Sequence, residues 1–299
     1  MLNSSLKFGI PSAMEVYFPD AVYSEETKSL LEERFFRMIC LPNGTYKTTA
    51  AHRLCDIDKA LCQCLEDRPK GLNVLDVAVS SGVTSLELLD ALAQQGFNPR
   101  LTAADLTIHA TLGRLPYGIE ILCDSKGRIL QLARPPFVKG RPHEPFRSFR
   151  RAALQGFITL LESLIRVGIL RQIDSKEITL VSPRMLNKAG ITITEHDLNE
   201  DRPEWHAQFD VVRAANILND TYFSRAVLRR MFNYLCLYLK PNGLLVLSRT
   251  MENDNSTHGT IFALSADGKL CVVRRIGEGS DLEYLIDEPL QHSQHQRVT

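Results

Sequence analysis

The stretch that decides the fold runs from Asn73 to Glu87 and reads NVLDVAVSSGVTSLE. An apolar run containing the acid Asp76 leads into a loop of small residues, and a helical pattern follows. This is the layout of a nucleotide-binding turn at the first strand of an open α/β sheet. Small residues let a ligand approach the main chain closely. Thr84 and Glu87 have the spacing of a capping box, which predicts the start of the helix there.

The spacing of the small residues separates two kinds of nucleotide site. The dinucleotide pattern G-x-G-x-x-G would put the bulky, β-branched Val83 where close helix–strand packing needs the smallest side chain. The order G-x-G-x-G selects Ala78, Ser80 and Gly82, which are all small. Together with the preceding Asp76, this resembles motif I of the class I S-adenosylmethionine-dependent methyltransferases, in which glycine is usual at all three positions. The alternative is an ordinary buried strand and turn without a ligand.

The composition is that of a soluble globular protein with a substantial core. Of the 299 residues, 44% are hydrophobic and 23% are charged, and 35 basic residues balance 35 acidic ones. A net charge of zero favours no nucleic-acid partner. The N-terminus lacks the pattern of a signal peptide, and no uncharged apolar run approaches the ~20 residues of a membrane span, so we expect a cytoplasmic protein. The seven scattered cysteines are predicted to be buried free thiols rather than metal ligands.

The order of elements predicts an α/β fold with a doubly wound, mostly parallel, seven-stranded sheet of the class I methyltransferase type. Residues 1–70 are predicted to form an N-terminal helical cap, and residues 71–287 the methyltransferase-like α/β domain. Residues 288–299 are polar and predicted to be a disordered tail. An antiparallel hairpin is expected near the C-terminal end of the domain.

An insertion is predicted at residues 113–190, because the regular alternation of strand and helix stops after the second strand. Its pattern predicts a β-hairpin over 119–132, a basic, Pro-rich stretch over 134–151 and an apolar helix over 152–170. Since it leaves from the carboxyl end of a strand, where such sheets bind ligands, we interpret it as a lid. A contact of residues 134–170 with an anionic membrane surface is one alternative, and an oligomer interface is another.

The resemblance implies roles for residues at the ends of the later strands. An acid at the end of strand two accepts hydrogen bonds from both ribose hydroxyls, and Asp105 has that place. An acid at the end of strand three meets the adenine amino group, and Asp197 matches it, with Leu198 against the adenine. Asn216 follows the strand that faces the transferred methyl group. No metal is expected, and the implied cofactor-binding residues are Asp76, Ala78, Ser80, Gly82, Asp105, Leu106, Asp197, Leu198 and Asn216.

The function implied is in-line methyl transfer from S-adenosylmethionine to a small-molecule acceptor. In this chemistry the cofactor carries the reactive group, and the enzyme aligns the nucleophile with it. A general base is needed only for a nucleophile that must lose a proton. The catalytic residue is left open, and the candidates are Asn216, Tyr222, His109, His52 and Tyr46.

Three rival functions remain at this point. One is a nicotinamide-dependent Rossmann enzyme, which the bulk of Val83 disfavours. Another is a regulatory module without catalysis, either binding the cofactor or free of it, which the missing glycines favour. The third is a peripheral-membrane lipid methyltransferase, which the insertion suggests. The sequence leaves the acceptor atom and the oligomeric state open.

Overall fold

In the computed structural model the chain divides into two compact units. The first contains residues 1–50, 80–83 and 107–188, and the second contains residues 51–79, 84–106 and 189–299. The predicted tail at 288–299 lies outside the described residues, and so do residues 141–148 of the basic stretch. The residues that the structure describes are 10–41, 46–47, 50–135, 137–140, 149–166, 174–251 and 253–287.

Three helices precede the first strand, and several strands follow one another directly later in the chain. The described α-helices are α1 (Ala13–Tyr17), α2 (Glu25–Phe36), α3 (Cys55–Cys64), α4 (Val83–Gln94), α5 (Phe149–Arg166), α6 (Pro183–Leu186) and α7 (Arg225–Tyr238). The described strands are β1 (Gly71–Val77), β2 (Asn98–Asp105), β3 (His109–Leu115), β4 (Ile119–Asp124), β5 (Ile129–Arg134), β6 (Phe137–Gly140), β7 (Asp174–Thr179), β8 (Ile191–Glu195), β9 (Phe209–Ala215), β10 (Leu239–Thr250), β11 (Thr257–Leu264) and β12 (Leu270–Ile276).

The second unit is built on a seven-stranded sheet with the order β12-β11-β10-β9-β1-β2-β8. The five strands from β8 to β10 are parallel, while β11 and β12 form an antiparallel hairpin at one edge. This confirms the predicted doubly wound, mostly parallel sheet and the predicted C-terminal hairpin. The chain runs from β1 outward to β2 and β8 and then returns to β9, so the strand order reverses between β1 and β9. Ligands of open α/β sheets bind outside the carboxyl ends of the strands at such a reversal.

The two faces of this sheet have different chemistry, because successive side chains of a strand point to opposite faces. On one face Leu75 and Val77 of β1 join a large apolar core with residues of α7, such as Phe232. On the other face, which α3 and α4 cover, β1 places Asp76 and β9 places Arg213. A buried polar layer therefore lies under the loop that follows β1.

The first unit contains a five-stranded antiparallel sheet in the order β6-β5-β4-β3-β7. The predicted hairpin over 119–132 is confirmed as β4 and β5, but the insertion is a whole sheet rather than a hairpin with a helix. The difference arises because β7 exposes most of its side chains and lacks the apolar alternation that identifies a strand. One face of this sheet packs on α5 through Ile158 and Leu161, and the other packs on α2 through Phe35.

The predicted cap over residues 1–70 is divided between the two units. Helices α1 and α2 belong to the first unit, where they cover one face of the five-stranded sheet. Helix α3 belongs to the second unit, because the carboxylate of Asp58 on α3 pairs with Arg213 of β9 at 2.9 Å. The apolar Ile57 of the same helix lies against Gly259 of β11.

Several local predictions are corrected by the structure. Helix α4 begins at Val83, one residue before Thr84, so Thr84 is inside the first turn and does not cap the helix. The predicted turn over 240–243 is an irregular part of β10, whose register with β9 shifts between Leu239 and Leu244. All seven cysteines are free, but Cys271 is exposed rather than buried, since it lies on the edge strand β12. None of the described helices is long and apolar enough to cross a membrane.

Candidate functional site

The loop after β1 has an unusual backbone. Ala78, Ser80 and Gly82 have φ angles of +56°, +58° and +77°. This left-handed region costs a residue with a Cβ atom roughly 1–2 kcal/mol, and glycine enters it freely. Backbone strain of this kind concentrates at functional sites, where the surrounding structure maintains it. The loop therefore has the backbone geometry of a G-x-G-x-G turn, although only one of its three positions is glycine.

The tip of this loop, residues 80–83, is held by other parts of the first unit. The Lys47 ammonium donates a hydrogen bond to the carbonyl of Ser80 at 3.2 Å, and the backbone N–H of Ser182 donates to the carbonyl of Ser81 at 2.7 Å. The sulfur of Met185 lies too close to the position that a Cβ atom on residue 82 would take. Gly82 thus has a packing reason to be glycine that is independent of any ligand.

Asp76 is part of a buried ion cluster beneath the loop. Its two carboxylate oxygens accept hydrogen bonds from Nε and Nη2 of Arg213 at 3.0 and 2.6 Å, and Ser85 of α4 donates a further one at 2.6 Å. Nη1 of Arg213 donates to Asp58 at 2.9 Å. A direct contact between Asp76 and a ligand would have to compete with these bonds. Asp76 can therefore support the loop from below.

The guanidinium of Arg213 is hydrogen-bonded to two carboxylates, those of Asp58 and Asp76. Burial raises the pKa of Asp58 to about 6, and the Arg213 cation offsets only part of that rise. The neighbouring Asp76 carboxylate contributes in the same direction as burial, because like charges disfavour ionisation. The two carboxylates in turn raise the pKa of Arg213 against the effect of its burial.

Asp105 lies next to the start of the loop in the second unit. Val77 and Ala104 are register partners in β1 and β2, and the N–H of Val79 donates to the carbonyl of Ala104 at 3.2 Å. Ala78 therefore directly follows β1, and Asp105 is the last residue of the paired strand β2. Asp105 is 6% exposed. The next residue, Leu106, is 43% exposed and is available for apolar contact with a ligand.

Asp197 and Leu198 follow β8, the next strand outward. The Oδ1 atom of Asp197 accepts hydrogen bonds from the backbone and side-chain amides of Asn199, which fixes the turn. Leu198 is buried in the apolar core beside Trp205 and Phe209. Asp197 is thus at the predicted strand end, while Leu198 is directed into the protein core.

Asn216 directly follows β9, on the other side of the strand reversal. Its φ angle is +60°, and its side-chain oxygen accepts a hydrogen bond from the N–H of Thr250 at 2.6 Å. Its own N–H donates to the carbonyl of Ser248 at 2.8 Å. These bonds hold Asn216 to the end of β10 and fix the orientation of its amide.

The other catalytic candidates are divided between the two units. His109 and Tyr46 belong to the first unit, and His52 and Tyr222 belong to the second. Tyr222 is 65% exposed on the segment between β9 and α7. His52, with a φ of +62°, donates its backbone N–H to the Glu87 carboxylate of α4 at 2.8 Å. Of these four, His52 is the one that a described contact connects to the helix after the loop.

Several polar residues of this region were not predicted to be functional. The Arg213–Asp58 pair could have been suspected from the sequence, since an arginine inside the apolar run of β9 requires a buried anion. Three further atoms are buried and make no hydrogen bond with any described residue: Nε of Arg53, Oε2 of Glu87 and Oγ of Ser248. No feature of the sequence separates these three from ordinary surface polar residues.

No protein-family model and no curated protein matches the chain. Among solved structures it is similar to the citrinin polyketide synthase CMeT domain, with 13% identity over 80% of this chain and 42% of that one, and a TM-score of 0.37. It is also similar to CurJ carbon methyltransferase, with 12% identity over 81% of this chain and 43% of that one, and a TM-score of 0.35.

A third similar structure is an S-adenosylmethionine-dependent methyltransferase from Mesorhizobium loti, with 14% identity over 66% of this chain and 54% of that one, and a TM-score of 0.31. The chain thus spans 42% and 43% of the length of the first two structures. At these TM-scores the likeness does not assign a function to the chain.

Proposed function

We propose that this protein binds S-adenosylmethionine at the carboxyl ends of its parallel strands and transfers the methyl group to a small-molecule acceptor. The observation that carries the proposal is the left-handed backbone that begins at Ala78, where β1 ends beside the reversal of strand order. Asp105 lies at the end of the neighbouring strand β2. Non-glycine residues stay in a strained left-handed conformation only where the surrounding fold maintains them. A ligand-binding role for the loop would explain why this fold maintains the strain at Ala78.

The residues at this edge fit an adenosyl group. The carboxylate of Asp105 can accept two hydrogen bonds, which suits the two adjacent ribose hydroxyls. Leu106 offers apolar surface and Asp197 a further acceptor at the end of β8. Under this proposal, the main chain at Ala78 lets the ligand approach closely, and Asp76 and Leu198 support the site from within the second unit.

When bound, S-adenosylmethionine supplies a methyl group on a positively charged sulfur, which is already activated for attack. The work left to the chain is to hold the acceptor in line, which can account for most of the rate acceleration. The Oδ1 and Nδ2 atoms of Asn216 both bond to Thr250, and the second N–H of Nδ2 is the group that would orient an acceptor. An acceptor that must lose a proton would need a base. His52, whose ring Nδ1 lies 3.5 Å from the Glu87 carboxylate of α4, is the candidate that we assign to this role.

One observation favours a second function, that of a regulatory module without catalysis. Met185 packs over Gly82, and two of the three loop positions carry strain that glycine would remove. A module that lost methyl transfer would have no further need of glycine at those positions. This alternative predicts a folded protein that binds no adenosyl compound, or one that binds it without turnover.

A thermal-shift measurement with S-adenosylhomocysteine tests whether the protein binds an adenosyl compound. Consumption of S-adenosylmethionine then separates the enzyme from a module that binds the cofactor without turnover. A ligand at about 100 times its Kd stabilises the native protein by about 2.7 kcal/mol, which corresponds to a rise in Tm of about 4 °C for a chain of 299 residues. We expect this shift for the wild type and a clearly smaller one for Asp105→Ala.

The matched control is Asp210→Asn, which changes a carboxylate near the amino end of β9 and should leave the shift intact. An equal shift for Asp105→Ala and the wild type would remove Asp105 from the site. A shift with NAD and none with S-adenosylhomocysteine would contradict the proposal in favour of the nicotinamide enzyme.

A further inference from the structure

Helix α5 has apolar residues on two opposite sides. Ile158, Leu161 and Ile165 pack against the five-stranded sheet. On the other side Phe157 and Leu160 are 45% and 57% exposed, and their spacing of three residues makes them neighbours on the helix surface. A helix that is apolar on both sides is typical of an apolar environment rather than of a surface in water. The outer side of α5 is therefore a candidate contact surface.

The polar side chains on this outer side do not depend on water. Thr159 and Ser163 are exposed. The hydroxyl of Thr159 donates a hydrogen bond to the carbonyl of Gln155 at 2.9 Å, and the hydroxyl of Ser163 donates to the carbonyl of Thr159 at 2.9 Å. Both hydroxyl protons keep an acceptor when water leaves the helix surface, which reduces the cost of burying a polar group.

The charges of α5 lie around this surface and not on it. Glu162 is the one charged residue among the described side chains of the helix. It is 4% exposed and is directed to the sheet, where it accepts the N–H of Ile129 at 2.9 Å. Arg150 and Arg151 are in the first turn of α5, and Arg166 is its last residue. The outer side of α5 is thus uncharged, with basic residues at both ends of the helix.

The five-stranded sheet adds two exposed cations on the same side. Leu132 of β5 belongs to the cluster that α5 covers, and it pairs in register with Lys139 of β6. Residues in direct register share a face of the sheet, so Lys139 lies on the face that carries α5. The pair of Arg134 and Phe137, two residues along each strand, lies on that face too. All three side chains are exposed, and the exposed Glu177 of β7 lies on this face at the opposite edge of the sheet.

We propose that the outer side of α5 docks on an anionic lipid bilayer. Phe157 and Leu160 enter the boundary between headgroups and acyl chains, where the apolar side chains of interfacial helices lie. Arg134 and Lys139 contact the anionic headgroups beside them. The charge pattern selects this occupant, because an uncharged apolar surface with basic residues around it complements a bilayer whose headgroups are negative. The inference goes beyond the proposed function and does not depend on it.

A second copy of this chain fits the same surface less well. In a symmetric pair each α5 would lie against the α5 of the other copy, and the basic residues at its ends would meet those of that copy. The described side chains of α5 include no exposed acid that could compensate them. Like charges brought together oppose such a contact, whereas a negatively charged bilayer attracts them.

Sedimentation with lipid vesicles tests the docking. Vesicles of phosphatidylcholine with about 30% phosphatidylserine should bind the wild type at least about tenfold more tightly than pure phosphatidylcholine, and rising salt should weaken that binding. Leu160→Glu should weaken it at least about tenfold, because this change removes apolar contact and adds a charge that the lipids repel. The matched control is Val22→Glu, the same kind of change at a fully exposed position between α1 and α2, which should leave binding unchanged.

A second pair of variants tests the cations. Lys139→Gln should weaken binding to the anionic vesicles about fivefold, the effect of losing one charge near the membrane surface. Lys176→Gln is the control, because Lys176 of β7 lies on the face of the same sheet that α1 and α2 cover, and binding should stay as in the wild type. Leu160→Glu and Lys139→Gln should keep the Tm of the wild type, since both side chains are exposed. Weaker binding by these variants then reports the lost contact and not unfolding.

Wild-type protein that stays in the supernatant with anionic vesicles, or equal binding by wild type and Leu160→Glu, overturns the proposal. A dimer in solution that Leu160→Glu splits also overturns it and assigns the outer side of α5 to a second copy. S-adenosylhomocysteine affinity, measured without vesicles, should be the same for the wild type and Leu160→Glu. The membrane contact and the proposed function can therefore fail separately.

Discussion

Arg213 and Asp76 are register partners in neighbouring parallel strands. The Arg213 guanidinium donates hydrogen bonds to both carboxylate oxygens of Asp76 at 3.0 and 2.6 Å. Both side chains are almost completely buried. Taking charges out of water is costly, so such a pair is stable only while each charge keeps its partner. The pair joins β1 to β9 at the reversal of strand order, directly under the loop that the proposed function requires.

Removing one member of this pair should destabilise the fold strongly. Asp76→Ala leaves the Arg213 cation with Asp58 alone, and we expect the free energy of unfolding to fall by about 3–5 kcal/mol. Denaturant unfolding measures this change. The matched control is Asp281→Asn, which breaks the exposed pair with Arg249 and should cost no more than about 1 kcal/mol. Similar small losses for both variants would contradict a structural role for the buried pair.

Stability should depend on pH through Asp58. The folded state raises the pKa of this carboxyl from 3.8 to about 6, so between those values the folded protein holds a proton that the unfolded chain has released. The contribution of Asp58 is therefore fully present at low pH and is lost as pH rises through this window, by about 2–3 kcal/mol.

Asp58→Asn removes this titration and keeps an oxygen that can accept from Arg213. We expect the stability difference between wild type and variant to change between pH 4 and pH 7 by about the same 2–3 kcal/mol. Asp56→Asn, on the exposed side of the same helix, should show no such change. A difference that stays constant across the window would show that Asp58 titrates normally.

The strain in the loop predicts that Ala78→Gly is tolerated or stabilising. Glycine relieves about 1–2 kcal/mol of left-handed strain and adds about 0.5–1 kcal/mol of backbone entropy cost, for a net gain of about 0–1.5 kcal/mol. The control is Ala103→Gly, in the buried middle of β2, which should destabilise. Unfolding free energies of the two variants test the idea, and a clear loss of stability in Ala78→Gly would count against it.

The packing of Met185 on Gly82 predicts a coupled pair of substitutions. Gly82→Ala should cost about 1–3 kcal/mol, because the new Cβ atom meets the sulfur of Met185 and the φ of +77° strains any side chain. Met185→Ala in the same chain removes the collision but leaves the backbone strain. A double-mutant cycle should therefore show partial rescue, and strict additivity would mean that Met185 moves aside freely.

The sequence was sufficient for the large sheet because buried parallel strands are continuous apolar runs, as in β1 and β10. It was insufficient for the sheet of the first unit, since the exposed strand β7 carries polar side chains that no periodicity identifies. The order of elements along the sequence was enough to predict that Asp105 and Asn216 lie at strand ends.

The partners of charged residues could not be predicted in the same way. Asp58, on a helix expected in a separate cap, reaches Arg213 through tertiary packing alone. The left-handed φ angles at Ala78 and Ser80 are also invisible to propensity, because both residues normally avoid that region.

The most direct test of the central claim is a crystal structure of the protein grown with S-adenosylhomocysteine. The account predicts the compound at the carboxyl ends of β1 and β2, with its ribose against the Asp105 carboxylate and its sulfur near the main chain of Ala78. Protein atoms filling that place, or the compound bound elsewhere on the chain, would contradict it.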